Sequence, residues 1–215
     1  MRMAELSAAS GVPVPTLKYY LREALLPPGE ATAPNQASYS DAHLQRIRLI
    51  GVLTDVGGLT IAAVRNVVAA LDQPALPLST VVAVVHHALT PASDDPSDAD
   101  AELARREIDS WLAELGWQIS AAAPSRRTLA DALVSLRRLG RTVRPQDFAR
   151  YAAAANRLAA WELSRTVTSP PVTAGGVVES VVIGTVVYET VLLALRRLAQ
   201  EHQFALRPSA QPGKR

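Results

Sequence analysis

Gly11-Val12-Pro13-Val14-Pro15-Thr16-Leu17-Lys18-Tyr19-Tyr20-Leu21-Arg22 is the stretch on which the reading of this chain turns. Gly11 is a good helix-stop residue and ends a first helix expected over about Met3 to Ser10. Pro15 sits in the first turn of a second helix, where backbone N–H groups lack partners anyway. Leu17, Tyr20 and Leu21 are spaced to face a core, which puts Tyr19 on the opposite side with Thr16 and Lys18 at its flanks. A short helix, a tight turn and a second helix follow within twenty residues.

Downstream, Pro27-Pro28-Gly29 to Ser38 is made of turn formers and small polar residues and predicts a hairpin or wing. Ser40 reads as an N-cap with Asp41 in the first turn. Leu44, Ile47, Ile50 and Leu53 then recur every three residues as an apolar stripe that stops at Gly57-Gly58. Thr60 caps a fourth helix running to Leu71. A break follows at residues 72–79, where Pro74 and Pro77 cannot continue a helix.

Beyond it, helices are expected at about 79–89, 99–116, 126–139, 145–168 and 177–204, with Gly116, Gly140 and Gly175-Gly176 at boundaries. The last segment is Val-rich, but its apolar positions 181, 188, 192, 195 and 199 follow helical spacing. The expected organisation is therefore a unit over 1–72, a connecting helix and linker over 73–100, a helical unit over 101–207 and a disordered tail over 208–215.

Apolar residues make up 48% of the 215, too many for a disordered chain. The absence of Cys excludes disulfides, thiolate metal sites and a Cys nucleophile. His86 and His87 are adjacent and point apart on a helix, and His43 and His202 have no ligand partner nearby, so no metal or other cofactor is expected. Charges interrupt the apolar stretch from Val177 to Leu198, which argues against a membrane span and for a cytoplasmic protein. No nucleophile elbow or phosphate loop is present, so no enzyme is expected. The net charge of +2, with six basic against six acidic residues in 1–72, identifies no nucleic-acid binder.

Specificity comes from three ordered motifs. Gly11-Val12-x-Val14-x-Thr16-Leu17-Lys18-Tyr19-Tyr20 with Ala24-Leu25-Leu26-Pro27 resembles the recognition helix, and its exit, of the MerR family of transcriptional regulators. Tyr39-Ser40-Asp41-x-x-Leu44-x-Arg46-Ile47-x-x-Ile50 resembles that family's segment after the wing. Val56-Gly57-Gly58-Leu59-Thr60-Ile61-x-x-Val64-Arg65 resembles its last helical pair. The resemblance covers a third of the chain. It implies a mainly α fold, in which an N-terminal winged helix-turn-helix precedes an all-helical C-terminal bundle.

It also implies a homodimer that reads a palindromic operator in double-stranded DNA, with RNA polymerase as a further partner open to it. The DNA-facing residues would be Thr16, Lys18, Tyr19, Tyr20, Arg22, Asn35, Gln36, Tyr39 and Arg46. Lys18 stands where the family usually has arginine, giving a point charge instead of a bidentate fork. The wing carries no Lys or Arg, so Asn35, Gln36 or backbone N–H groups must substitute. Tyr20 and Tyr39 are equally readable as core and wing-anchor residues.

The family's long coiled-coil helix does not follow the fourth helix, because Pro74 and Pro77 interrupt its path. The 177–204 helix is the candidate dimer interface, or else a central helix buried within one monomer. Trp111, Trp117, Tyr151, Trp161 and Tyr188 are candidates to line a pocket for a small organic effector, or else simple core. The arginines at 126, 127, 137, 138, 141, 144 and 150 read first as a solvated helix face. The alternative function is a helical protein-interaction module that keeps the winged fold without sequence-specific DNA binding.

Overall fold

The computed structural model describes residues 1–33, 36–73, 77–90, 99–167 and 174–207, with the side chains of Leu78, 165–167 and 174–181 outside that description. Asn35, Pro74, most of the linker at 91–98 and the tail at 208–215 therefore fall outside it. The fold is mainly α. Helices α1 (Met3–Ser10) and α2 (Val14–Arg22) lead into a two-stranded antiparallel wing, β1 (Glu30–Ala33) and β2 (Gln36–Ser38). Then come α3 (Asp41–Gly51), α4 (Ile61–Leu71), α5 (Leu78–Leu89), α6 (Ala99–Glu114), α7 (Pro124–Arg138), α8 (Ala149–Val167) and α9 (Ala174–Ala205).

The predicted boundaries hold to within a few residues, and glycine sets several of them. Gly11, Gly58, Gly116 and Gly140 all adopt positive φ, the left-handed region that side chains disfavour. Gly175-Gly176 differ from expectation. They lie within the first turn of α9, where N–H groups have no intrahelical partner. The stripe from Leu44 to Leu53 also has a feature that periodicity does not report, since α3 passes into a π-helical turn at Val52–Val56. The Thr54 hydroxyl donates there to the Ile50 and Gly51 carbonyls at 3.0 and 3.2 Å, competing with the regular ladder.

Three apolar clusters hold the molecule together. Leu6, Leu17, Leu26, Tyr39 and Ile47 join α1, α2, the wing and α3. Trp111, Leu112 and Ile108 of α6 close on Leu133 and Val134 of α7, with Ala152 of α8 at the edge. The third cluster crosses the break at 72–79. Leu49, Ile50 and Leu53 of the α3 segment and Val64, Val67 and Val68 of α4 pack with Val81 and Val85 of α5, and with Val182 and Val186 of α9. The final helix thus completes the core that carries the first four.

Gly57 marks how close that approach is. A Cβ there would lie 2.7 Å from the Leu53 carbonyl oxygen, 2.8 Å from Leu59 Cδ1 and 2.9 Å from Val186 Cγ1. Gly57→Ala is predicted to destabilise the protein by about 1–3 kcal/mol through this overpacking. Gly51→Ala, whose Cβ meets nothing nearer than 3.9 Å, serves as the control and leaves the denaturation midpoint unchanged or slightly raised. Urea titration of both variants checks the pair, and equal midpoints would contradict the close-approach account.

Candidate nucleic-acid interface

The turn between α1 and α2 is built by short-range hydrogen bonds. Gly11 N–H donates to the Ser7 carbonyl at 2.9 Å, and the Ser7 hydroxyl donates to the Val12 carbonyl at 2.7 Å. Leu17 is fully buried against Leu6, which fixes the rotation of α2 about its axis. Lys18 and Arg22, one turn apart, are consequently exposed, and Thr16 and Tyr19 are half-exposed. The Arg22 guanidinium lies 5.2 Å from the Tyr19 ring centroid, a cation–π contact that pre-positions both. Lys18, Tyr19 and Arg22 form the outward face of α2.

Tyr20 points inward and packs against both the first and third clusters. Burial, reinforced by Asp55 and Tyr19, holds its phenol above the ordinary tyrosine range, so it remains a neutral O–H. Tyr39 is only 7% exposed and belongs to the first cluster. Both tyrosines therefore do packing work, and whatever polar contact they make comes from the ring tip. Arg46 has a side chain 17% exposed and ion-paired with Asp72, which ties α3 to the end of α4. Arg65 makes an analogous clasp, its Nε donating to the Glu23 carbonyl at 3.0 Å and its NH2 group to the Glu23 carboxylate.

The wing sits beside α2 across a groove of about 600 Å³. Lys18 and Arg2 both line it, as do Gly29, Gln36 and Tyr39. Arg2 donates to Gln36 Oε1 at 2.5 Å, so a cation from the residue before α1 stands against a wing that has none of its own. Sequence spacing missed Arg2, because nothing local links residue 2 to residue 36. Gly29 needs its missing side chain, since a Cβ would lie 2.8 Å from the Ser38 carbonyl oxygen and 2.9 Å from Tyr39 Cε1.

His43, considered in the sequence only as a metal ligand, serves the wing instead. The Ser40 N–H donates to His43 Nδ1 at 3.1 Å, completing a capping box in which histidine stands in for the usual glutamate. That bond leaves the proton on Nε2, which faces the Pro28 carbonyl at 3.4 Å. The ring also meets Tyr39 edge to face at 5.2 Å. Among the described residues, no three His, Asp or Glu side chains cluster as metal ligands, and no helix is long and apolar enough to cross a membrane.

The five aromatics expected to line an effector pocket separate into two groups. Trp111 is buried at 4% exposure, edge-on to Phe148, and Trp117 packs on the same α6–α7 cluster. Tyr151, Trp161 and Tyr188 lie exposed on α8 and α9, with Trp161 and Tyr188 6.5 Å apart and Arg196 over Tyr151. Three of the C-terminal arginines have acidic partners: Arg126 with Asp109, Arg127 with Asp131 and Arg137 with Glu107.

Comparison with known proteins places this geometry. The family described as MerR HTH family regulatory protein matches residues 1–71. The HTH-type transcriptional regulator ZntR homolog of Haemophilus influenzae is 38% identical over 50 residues, which cover 23% of this chain and 37% of that protein. The chain thus spans little more than a third of that relative's length. The crystal structure of the putative transcriptional regulator SCO5550 from Streptomyces coelicolor A3(2) is 33% identical, with a TM-score of 0.75 over 99% of this chain and 100% of that one.

His43→Ala removes the acceptor for the Ser40 N–H and the wing's tether at Pro28. The expected loss is about 1 kcal/mol of stability, with faster amide exchange at Ser40 and little change in α6 and α7. Unaltered exchange at Ser40 would rule out the capping role.

Proposed function

The chain belongs to the MerR family of helix-turn-helix regulatory proteins, and we propose that it is a transcriptional regulator that binds a palindromic DNA operator as a homodimer under the control of a small organic effector. The observation that carries the DNA-binding part is the single exposed face of α2, with Lys18, Tyr19 and Arg22 outward beside the Arg2–Gln36 side of the wing. An α2 of this size fits the major groove, while Arg2 and the wing reach the flanking phosphates.

Dimerisation is supported by the far half of α9. Every residue from Tyr188 to Arg207 is exposed, including Leu192, Leu195, Leu198 and Phe204. Leu158, Trp161 and Leu163 extend the apolar surface onto α8. A helix that is leucine-rich yet uncovered needs a partner, because apolar patches of this extent are rare on monomers. A second copy supplies it and brings a second reader for a palindrome. Val182 and Val186 of α9 are core, and in this reading the exposed stretch from Tyr188 onward is the interface.

Selection of bound DNA from a random pool is the direct test, with a recovered palindrome as the expected result. Lys18→Ala with Tyr19→Ala abolishes that binding, and unchanged affinity in the double variant would favour the protein-interaction alternative. With Arg2, Lys18 and Arg22 as the phosphate-facing cations, log K should fall against log salt with a slope of about −2.7 per reader, about −5.4 for the dimer. Arg2→Ala should make that slope shallower by about 1 per reader. A much steeper slope in the parent protein would mean that other cations take part. Leu195→Glu with Leu198→Glu is expected to yield monomers in sedimentation, with the fold intact by circular dichroism.

A further inference from the structure

A second concave region lies away from the DNA-facing side. Its walls are α4, α5 and the segment from Gln118 to Ser125 that enters α7, and it encloses about 1020 Å³. Small side chains make the space: Ala62 and Ala69 of α4, Ala83 of α5 and Ala122 before α7. Polar groups are few and spread around the rim, chiefly Asn66, Gln73, Thr80 and Gln118. Among the described residues, no Asp, Glu, Lys or Arg lines it. The two titratable groups are His86 and His87, and partial burial lowers His86 below the ordinary histidine range against the opposing pull of Glu189 on α9.

We propose that this α4–α5–α7 groove binds a neutral, largely apolar small molecule bearing hydrogen-bonding groups. Its volume suits a ligand of drug size, and apolar walls with a few polar contacts are the usual make-up of such sites. The charge class follows from the lining, and a neighbouring cleft differs from it in carrying charged residues. It shares His87 and Ala122, Ala123 and Pro124 with the groove and presents Arg105, Arg126 and Arg127 against Asp109 and Asp131. Arg126 pairs with Asp109 there and Arg127 with Asp131. The uncharged lining offers a charged ligand group, anionic or cationic, no partner within the groove itself.

The position gives the ligand a consequence. The α4 wall carries Val64, Val67 and Val68 into the core of the DNA reader, while the opposite wall belongs to α5 and the entry to α7. A molecule filling the space bears on both sides at once, so it can favour one placement of the reader over another. This role as effector site rests on the regulator reading proposed above. The binding site itself does not.

The test uses the full chain and Nile red, a neutral solvatochromic dye, titrated by fluorescence with the melting temperature followed in parallel. One dye per chain is expected, with blue-shifted emission. Ala83→Trp, at an exposed position of α5, should weaken binding at least tenfold without lowering the melting temperature. Ala62→Trp does the same from the α4 wall and guards against one variant misfolding. Leu198→Glu, on the uncovered end of α9, should leave dye affinity within twofold.

No binding, or binding indifferent to both tryptophans, overturns the proposal. Loss of the dye on Leu198→Glu assigns it to α9 and also overturns it. Displacement by the cation tetraphenylphosphonium at concentrations comparable to the dye's own overturns the neutral class. Operator binding measured without dye reports on the regulator reading alone, so the two failures are separable.

Discussion

Everything in this molecule depends on the seating of Val182 and Val186 against the α3–α4 corner. That corner turns through a π-helical turn and Gly57, and Gly57 is the point at which any side chain would lift α9 away. Without α9 and α5, the reader would expose Leu53, Leu59, Val64, Val67 and Val68 to water. Burying side chains of that size contributes roughly 1.5–3 kcal/mol each, comparable in sum with the whole stability of a small domain. The helix-turn-helix is therefore local in sequence but not self-sufficient in energy. Part of α5 and part of α9 complete the core of α3 and α4, while α6 and α7 with Ala152 of α8 form a separate cluster.

Charge is arranged in the same interlocking way. Of the basic residues in the reader, Arg46 is paired with Asp72 and Arg65 with Glu23, and both clasp secondary-structure ends together. Arg22 lies 3.7 Å from Glu23 as well, and Arg2, Lys18 and, on α3, the exposed Arg48 are the reader's other basic residues. Partly exposed pairs of this kind contribute little to stability singly, but they remove two arginines from competition for phosphate. Under the proposed DNA-reading role, few unpaired cations would shift the balance from non-specific grip towards shape and the tyrosine-bearing face of α2.

Much of this was legible in the sequence because it is written in short-range terms. Gly11, Gly58, Gly116 and Gly140 stop helices through their own backbone freedom, and Leu17 or Ile47 declares a core face through spacing alone. The features that escaped are pairings between distant residues. Arg2 with Gln36, Arg46 with Asp72 and Val186 with Gly57 each join positions whose proximity no periodicity encodes. His43 escaped for a different reason, since its capping role replaces the glutamate that a capping box normally displays. Trp111 is large and apolar, and burial between two helices satisfies it as well as any ligand would.

The helix α9 also has a mechanical character. Its 32 residues span roughly 48 Å at 1.5 Å per residue. Val182 and Val186 seat it against the corner at Gly57, and every residue from Tyr188 to Ala205 is exposed. Measured from the Val186 contact, the arm to Ala205 is about 28 Å long, and a tilt of about 5° carries its tip roughly 2.5 Å. In the proposed dimer, a small rearrangement at the Gly57 contact would therefore be felt at the far end as a change of spacing.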